Sequence, residues 1–357
     1  MISLSAAWEA MPLSLVHKPS ISTALQRIRA RIVALLPIVA WMSIAAAMVF
    51  FILATIHTAS PAKKPSSHTK ANAVVIVPNT TTKKASNCAA QTNTAVFAAC
   101  PTFTQDYTAQ TNGIVSPQVF NVATGKPEAN QEAQLYTANT QNLRIQNGSL
   151  VLQALNDPQQ GFNYTSARID TKGKEDFLYG KLVIRATLPT GIGTWPAIWM
   201  LPSQSKYAAL SPVTDVNRYL NDGEIDIAES VGTQPHQIYG IAHSLAYPED
   251  GPNRSYYNVV KVPDNNTVFH DYEIDWTPTN LTFSVDGRAY FSISKQAGAD
   301  YHSWPYDQPF YLIINLAIGG SWGGTDRAQF PLDGVDTSAL PASLNVQSIH
   351  YYPYIGQ

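Results

Sequence analysis

Hydrophobic and polar positions divide the chain into three unlike stretches. From Ile32 to Ile56 (IVALLPIVAWMSIAAAMVFFILATI) no charged residue interrupts the run. At about 1.5 Å per helical residue it is long enough for a ~30 Å hydrocarbon core, which predicts one transmembrane helix. Arg27, Arg29 and Arg31 crowd its leading edge, whereas Lys63 and Lys64 lie further off on the other side. That bias puts residues 1–31 in the cytoplasm and everything after residue 56 outside, so the chain is expected at the cell membrane as a single-pass protein. Residues 57–101 are rich in Ser, Thr, Ala, Lys, Pro and Asn and carry no sustained apolar period, as in a flexible stalk.

From Thr102 to the last residue, 357, the pattern changes to short runs of β type divided by turn signals. Apolar alternation flanks Asn147-Gly148 in Leu143 to Leu152 and Asp286-Gly287 in Leu281 to Tyr290, and each reads as a hairpin with a tight primed turn. Further strands are expected at Gly180 to Leu188, Ala197 to Leu201, Glu224 to Ser230, Ile238 to Ser244, His270 to Trp276, Phe310 to Leu316 and Ser348 to Tyr352. The segments Ser203 to Asn221 and Tyr247 to Asn258 read as loops. Many short strands without an extended helix predict an all-β domain over 102–357, a two-sheet antiparallel sandwich of jelly-roll type.

Composition narrows the classes. Charged residues make up only 13% of the chain, while it holds 18 Tyr and 7 Trp, which excludes a disordered chain or a coiled coil. Twenty-three basic against 25 acidic residues leave a net charge of −2, so no basic field exists to hold nucleic acid. Cys88 and Cys100 are too few for a disulfide scaffold and wrongly spaced for zinc, although outside the cytosol they are able to close one small loop.

Against that charge-poor background, Asp222-Gly-Glu224-Ile-Asp226-Ile-Ala-Glu229 concentrates acid. Strand side chains alternate faces, so Glu224 and Asp226 share one face, Ile225 and Ile227 take the other, and Glu229 has the wrong parity. One bulge near Ala228 restores it. Glu224 and Glu229 then stand about 13 Å apart along the strand, and inward-leaning side chains narrow that toward the ~5–5.5 Å of a retaining glycosidase. Like charges on one face keep at least one carboxyl protonated near neutral pH. That asymmetry, one carboxylate and one carboxylic acid, is what such an enzyme requires.

Gly223 to Glu229 resembles the active-site strand of glycoside hydrolase family 16, in the bulged E-x-D-x-x-E form of laminarinase-like endo-β-1,3-glucanases. The resemblance runs over residues 102–354 and includes Tyr164 to Gly173, Gly193 to Pro202, Phe269 to Trp276, Val285 to Gly287 and Pro309 to Gly324. It implies a jelly-roll with a concave cleft and double displacement, with Glu224 as nucleophile, Glu229 as general acid/base and Asp226 assisting. It also implies that Trp195, Trp199 and Trp322 line the cleft, that Arg168 and Asn130 contact sugar hydroxyls, and that His243 sits beside the acid/base. No metal ligands are expected around His243. The structural calcium of some members is doubtful here, because Gln347 stands where an aspartate is expected.

These readings predict a monomeric, membrane-anchored enzyme that cuts β-glucan, chiefly at β-1,3 linkages, without a cofactor. A glucan transglycosylase would use the same site. From another class, a noncatalytic β-glucan-binding protein would bind the polymer without releasing reducing ends.

Overall fold

The computed structural model describes residues 96–207, 210, 220–246, 255–324 and 333–356. The predicted tail, transmembrane helix and most of the stalk lie outside the described residues, as does Cys88. Among the described residues no helix is long and apolar enough to cross a membrane. Cys100 is disulfide-bonded, and the sequence holds one other cysteine, Cys88.

Two antiparallel sheets face one another, as the strand pattern predicts. Among the described residues the outer sheet has nine strands; at its centre Gly180–Thr187 lies between His270–Trp276 and Ala342–Pro353. Ala342–Pro353 also pairs with Ser149–Ala154 and Phe103–Asp106. The inner sheet has, among the described residues, seven strands in the order Ser255–Lys261, Gln237–His243, Glu224–Glu229, Thr194–Pro202, Phe310–Ile318, Arg168–Asp170 and Asn121–Val122. One feature departs from the antiparallel expectation, a short parallel pair formed by Gln134–Tyr136 and Tyr164–Ser166.

The core fills the space between the sheets by period-two alternation. In Gly180–Thr187, Leu182, Ile184 and Ala186 point inward while Lys181, Val183 and Arg185 stay half-exposed. From the acidic strand Ile225, Ile227 and Ala228 enter the same cluster as Ile184, Ile274, Trp276 and Ile349. Full burial of each isoleucine contributes roughly 1.5–3 kcal/mol, so the apolar face fixes which way the acidic face points. The two predicted hairpins turn on residues in the left-handed region, Asn147 (φ 50°) with Gly148 (φ 80°) and Asp286 (φ 51°) with Gly287 (φ 71°).

Ser255–Lys261 corrects the sequence reading, which ended a loop at Asn258. This strand lies at the sheet edge and keeps Tyr256, Tyr257, Asn258 and Val259 exposed, so no apolar alternation marks it. Val96 and Phe97, placed in the stalk by composition, pair with Ile355 and Tyr354.

Candidate active site

The acidic strand carries the predicted bulge. Glu224 pairs with His243, Ile225 with Ala242 and Asp226 with Ile241, after which the register slips and Glu229 pairs with Tyr239. Ile227 and Ala228 together stand opposite Gly240, so one extra residue turns Glu229 back to the face of Glu224 and Asp226. Gly240 is required there for space: a Cβ would come within 2.6 Å of Tyr290 Oη and 2.9 Å of the Phe283 ring from the other sheet. At the strand entrance Gly223 holds φ +81°, and a Cβ would lie 2.7 Å from Pro305 Cγ.

Cross-strand partners point to the same face, so the register defines the cleft floor. One row crosses six strands through Arg168, Asn315, Ala197, Glu229, Tyr239 and Val259. A second runs through Asp170, Ile313, Trp199, Asp226, Ile241 and Tyr257. Trp199 Nε1 donates to Asn315 Oδ1 (2.7 Å), and the Arg168 guanidinium lies 5.1 Å from the Trp199 ring centre. Trp195 Nε1 donates to Glu229 Oε1 (2.5 Å), and the Trp195 ring meets Trp322 edge-on at 5.6 Å.

Burial raises all three carboxyls. For Glu224 and Glu229 the neighbouring Asp226 charge adds to it, while the Trp195 N–H opposes the rise at Glu229. Asp226 is raised by burial and lowered by its hydrogen bond with Glu224. Mutual repulsion of three buried carboxyls on one floor opposes ionising them together, so their protons leave in separate steps, and a carboxylic acid beside a carboxylate is what a hydrolase needs.

His243 lies elsewhere than the resemblance implies. Its Nε2 is 3.0 Å from Asp226 Oδ2 and 3.9 Å from Glu224 Oε1, at the opposite end of the acidic strand from Glu229. Donor atoms of Glu224, Asp226 and His243 lie within 4.8 Å of one another, so the expectation of no ligand set around this histidine fails geometrically. Cross-strand pairing creates the group from residues far apart in sequence. On the outer sheet, Gln347 accepts from Arg185 Nε (3.1 Å).

Asn130 is exposed, with φ 60°, and joins the site through its backbone: its carbonyl accepts from Ser321 N (2.8 Å) in the helical turn Gly320–Gly323 that carries Trp322. Several polar residues escaped the sequence reading. Asn315 interrupts the otherwise apolar strand Phe310–Ile318, and its Nδ2 donates to Tyr136 Oη (3.2 Å), which in turn donates to Glu132 Oε2 (3.1 Å). A lone amide inside nine fully buried positions is the signal that was available. Tyr239 stands beside Glu229 by register, a placement visible only once the bulge is counted.

Paired carboxyls of raised pKa on one face of a β-sandwich, beside indole rings and the amide of Asn315, are the equipment of a glycoside hydrolase. Sequence comparison agrees: glycosyl hydrolases family 16 matches over residues 129–331. A beta-glucanase of Rhodothermus marinus is 39% identical over 251 residues, which take in 68% of this chain and 82% of that protein. Glucan endo-1,3-beta-glucosidase A1 of Niallia circulans is 34% identical over 236 residues, and the match spans 32% of its length. The X-ray structure of the laminarinase from Rhodothermus marinus superposes with a TM-score of 0.64 at 37% identity, over 72% of this chain and 98% of that one. The chain belongs to glycosyl hydrolases family 16.

Proposed function

We propose that this enzyme cuts internal β-1,3 linkages of laminarin-type β-glucan with retention of anomeric configuration. Glu229, protonated, donates its proton to the glycosidic oxygen while ionised Glu224 attacks the anomeric carbon; the C–O bond breaks and a glycosyl ester forms on Glu224. Glu229, now a base, takes a proton from water, whose oxygen attacks the same carbon and releases Glu224. Asp226 hydrogen-bonds Glu224 and helps to separate the two glutamates' proton affinities. The observation that carries this reading is the single bulge that puts Glu224, Asp226 and Glu229 on one face.

The glucanase names of the relatives support the substrate class. The charge-free run Ile32–Ile56, with Arg27, Arg29 and Arg31 before it, supports anchorage at the cell membrane with the catalytic domain outside. The test is full-length protein incubated with laminarin, lichenan and agarose, with reducing ends counted and products sized. New reducing ends on laminarin, absent for Glu224→Gln, are expected. Redistributed product sizes without new ends would replace hydrolysis by transglycosylation, and binding without either would replace both by a glucan-binding role.

A further inference from the structure

The cleft floor is chemically lopsided. On one flank of the acidic strand lie Arg168, Asn315 and Trp199, joined by hydrogen-bonding and cation–ring contacts. From Glu229 a second series of aromatic rings begins with Trp195, on the same strand as Trp199, and leads past the end of the acidic strand to Tyr239 and Tyr257 on its other flank. Trp195, bonded to Glu229, meets Trp322 at 5.6 Å; Trp322 meets Tyr239 at 5.1 Å; Tyr239 meets Tyr257 at 6.1 Å. Tyr239 is held by hydroxyl hydrogen bonds to Gln234 and Gln237 and is 9% exposed, whereas Tyr257, last in the series, is 60% exposed.

Both tyrosines face the cleft. Tyr239 is the cross-strand partner of Glu229, and Tyr257 partners Ile241, itself the partner of Asp226. A phenol ring standing open on a substrate-facing edge strand, at the end of a series of packed rings, presents a flat apolar surface with a polar rim, which matches the C–H face of a pyranose. The direction of the reaction assigns the flank. A general acid must touch the leaving oxygen, so the departing sugar lies against Glu229 and the rings continuous with it.

We propose that Tyr239 and Tyr257 form the leaving-group side of the cleft, with Tyr257 stacking a glucosyl unit of the departing chain. This assignment rests on the glucanase reading and on Glu229 as its acid. The flank with Arg168 and Asn315 then holds the sugar that becomes bonded to Glu224. Because the deglycosylating nucleophile enters where the leaving group departed, the same Tyr257 surface also holds an acceptor sugar and sets the ratio of transfer to hydrolysis.

The experiment compares two substrates with the full-length protein. Laminarin fills both flanks. β-Laminaribiosyl fluoride has a single atom as leaving group and fills only the flank of Arg168 and Asn315. Tyr257→Ala is expected to lower kcat/KM on laminarin about tenfold, mainly through KM, and to leave the fluoride within about twofold of wild type. Tyr257→Trp, which restores a ring, is expected to recover the laminarin activity. With added laminaribiose as acceptor, Tyr257→Ala should also give less transfer product per hydrolytic event. Equal losses on both substrates, or no loss on either, would overturn the assignment. Wild-type protein inert toward both substrates would instead bring down the glucanase reading, and this inference with it.

Discussion

The indole of Trp195 donates to Oε1 of Glu229 at 2.5 Å, across neighbouring strands of the inner sheet. Burial drives the Glu229 carboxyl toward its protonated form, and this donor opposes it. Burial and the indole donor therefore act on this carboxyl in opposite senses, and the indole also holds it in place.

Replacing Trp195 by Phe keeps a ring against Trp322 but removes the donor. The Glu229 pKa is expected to rise, moving the alkaline limb of the kcat/KM profile to higher pH. The rate at the optimum should fall about 10- to 100-fold, because the acid is no longer aimed. A pH–rate profile on laminarin checks both, and an unmoved alkaline limb would deny the contact its tuning role.

Glu229→Gln should abolish turnover of laminarin and yet stabilise the fold. A carboxyl raised on folding contributes stability that is complete below its ordinary value of 4.5 and is lost as pH climbs through the raised value. The glutamine variant does not titrate, so its Tm should match wild type below about pH 4.5, exceed it increasingly as pH rises to about 8, and hold a constant lead above that. The expected gain is roughly 2–4 °C per kcal/mol recovered for a domain of this size. Thermal unfolding at pH 4 and pH 8 measures it, and a constant offset at both would contradict the linkage.

Donor atoms of Glu224, Asp226 and His243 converge closely enough to hold a metal ion, whereas the proposed double displacement uses the two glutamates directly. Dialysis against EDTA is expected to leave the rate on laminarin unchanged. Loss of activity that is restored by one divalent ion would reassign these three residues to a metal centre.

Gly240 faces the bulge and lies under Phe283 and Tyr290. Gly240→Val should force the two sheets apart locally and cost about 1–3 kcal/mol, read as a lower urea midpoint. Activity should fall beyond what stability explains, because the bulge that orients Glu229 sits on the same spot. A variant with normal kcat/KM would show that the bulge tolerates a wider gap.

Much of the site was legible because the chemistry is local. Glu224, Asp226 and Glu229 lie in one strand, and parity alone demanded the bulge that the register contains. The hairpins at Asn147-Gly148 and Asp286-Gly287 were equally legible, since positive φ needs those residue types. What escaped depends on pairing between distant segments. His243 meets Asp226 because of cross-strand register, which no run of neighbouring residues encodes. The backbone bond from Ser321 N to the Asn130 carbonyl likewise joins segments far apart in sequence. Tyr257 lies on an edge strand whose exposed residues erase the period that would have announced it.

The strand Ala342–Pro353 lies between Gly180–Thr187 and Ser149–Ala154 and also takes up Phe103–Asp106, so the most C-terminal strand is the one that joins the outer sheet. A ribosome or translocon releases the chain in sequence order, and until this segment emerges the strands before it have unfilled edges beside their apolar faces. Completion of the outer sheet therefore depends on the last strand to be made.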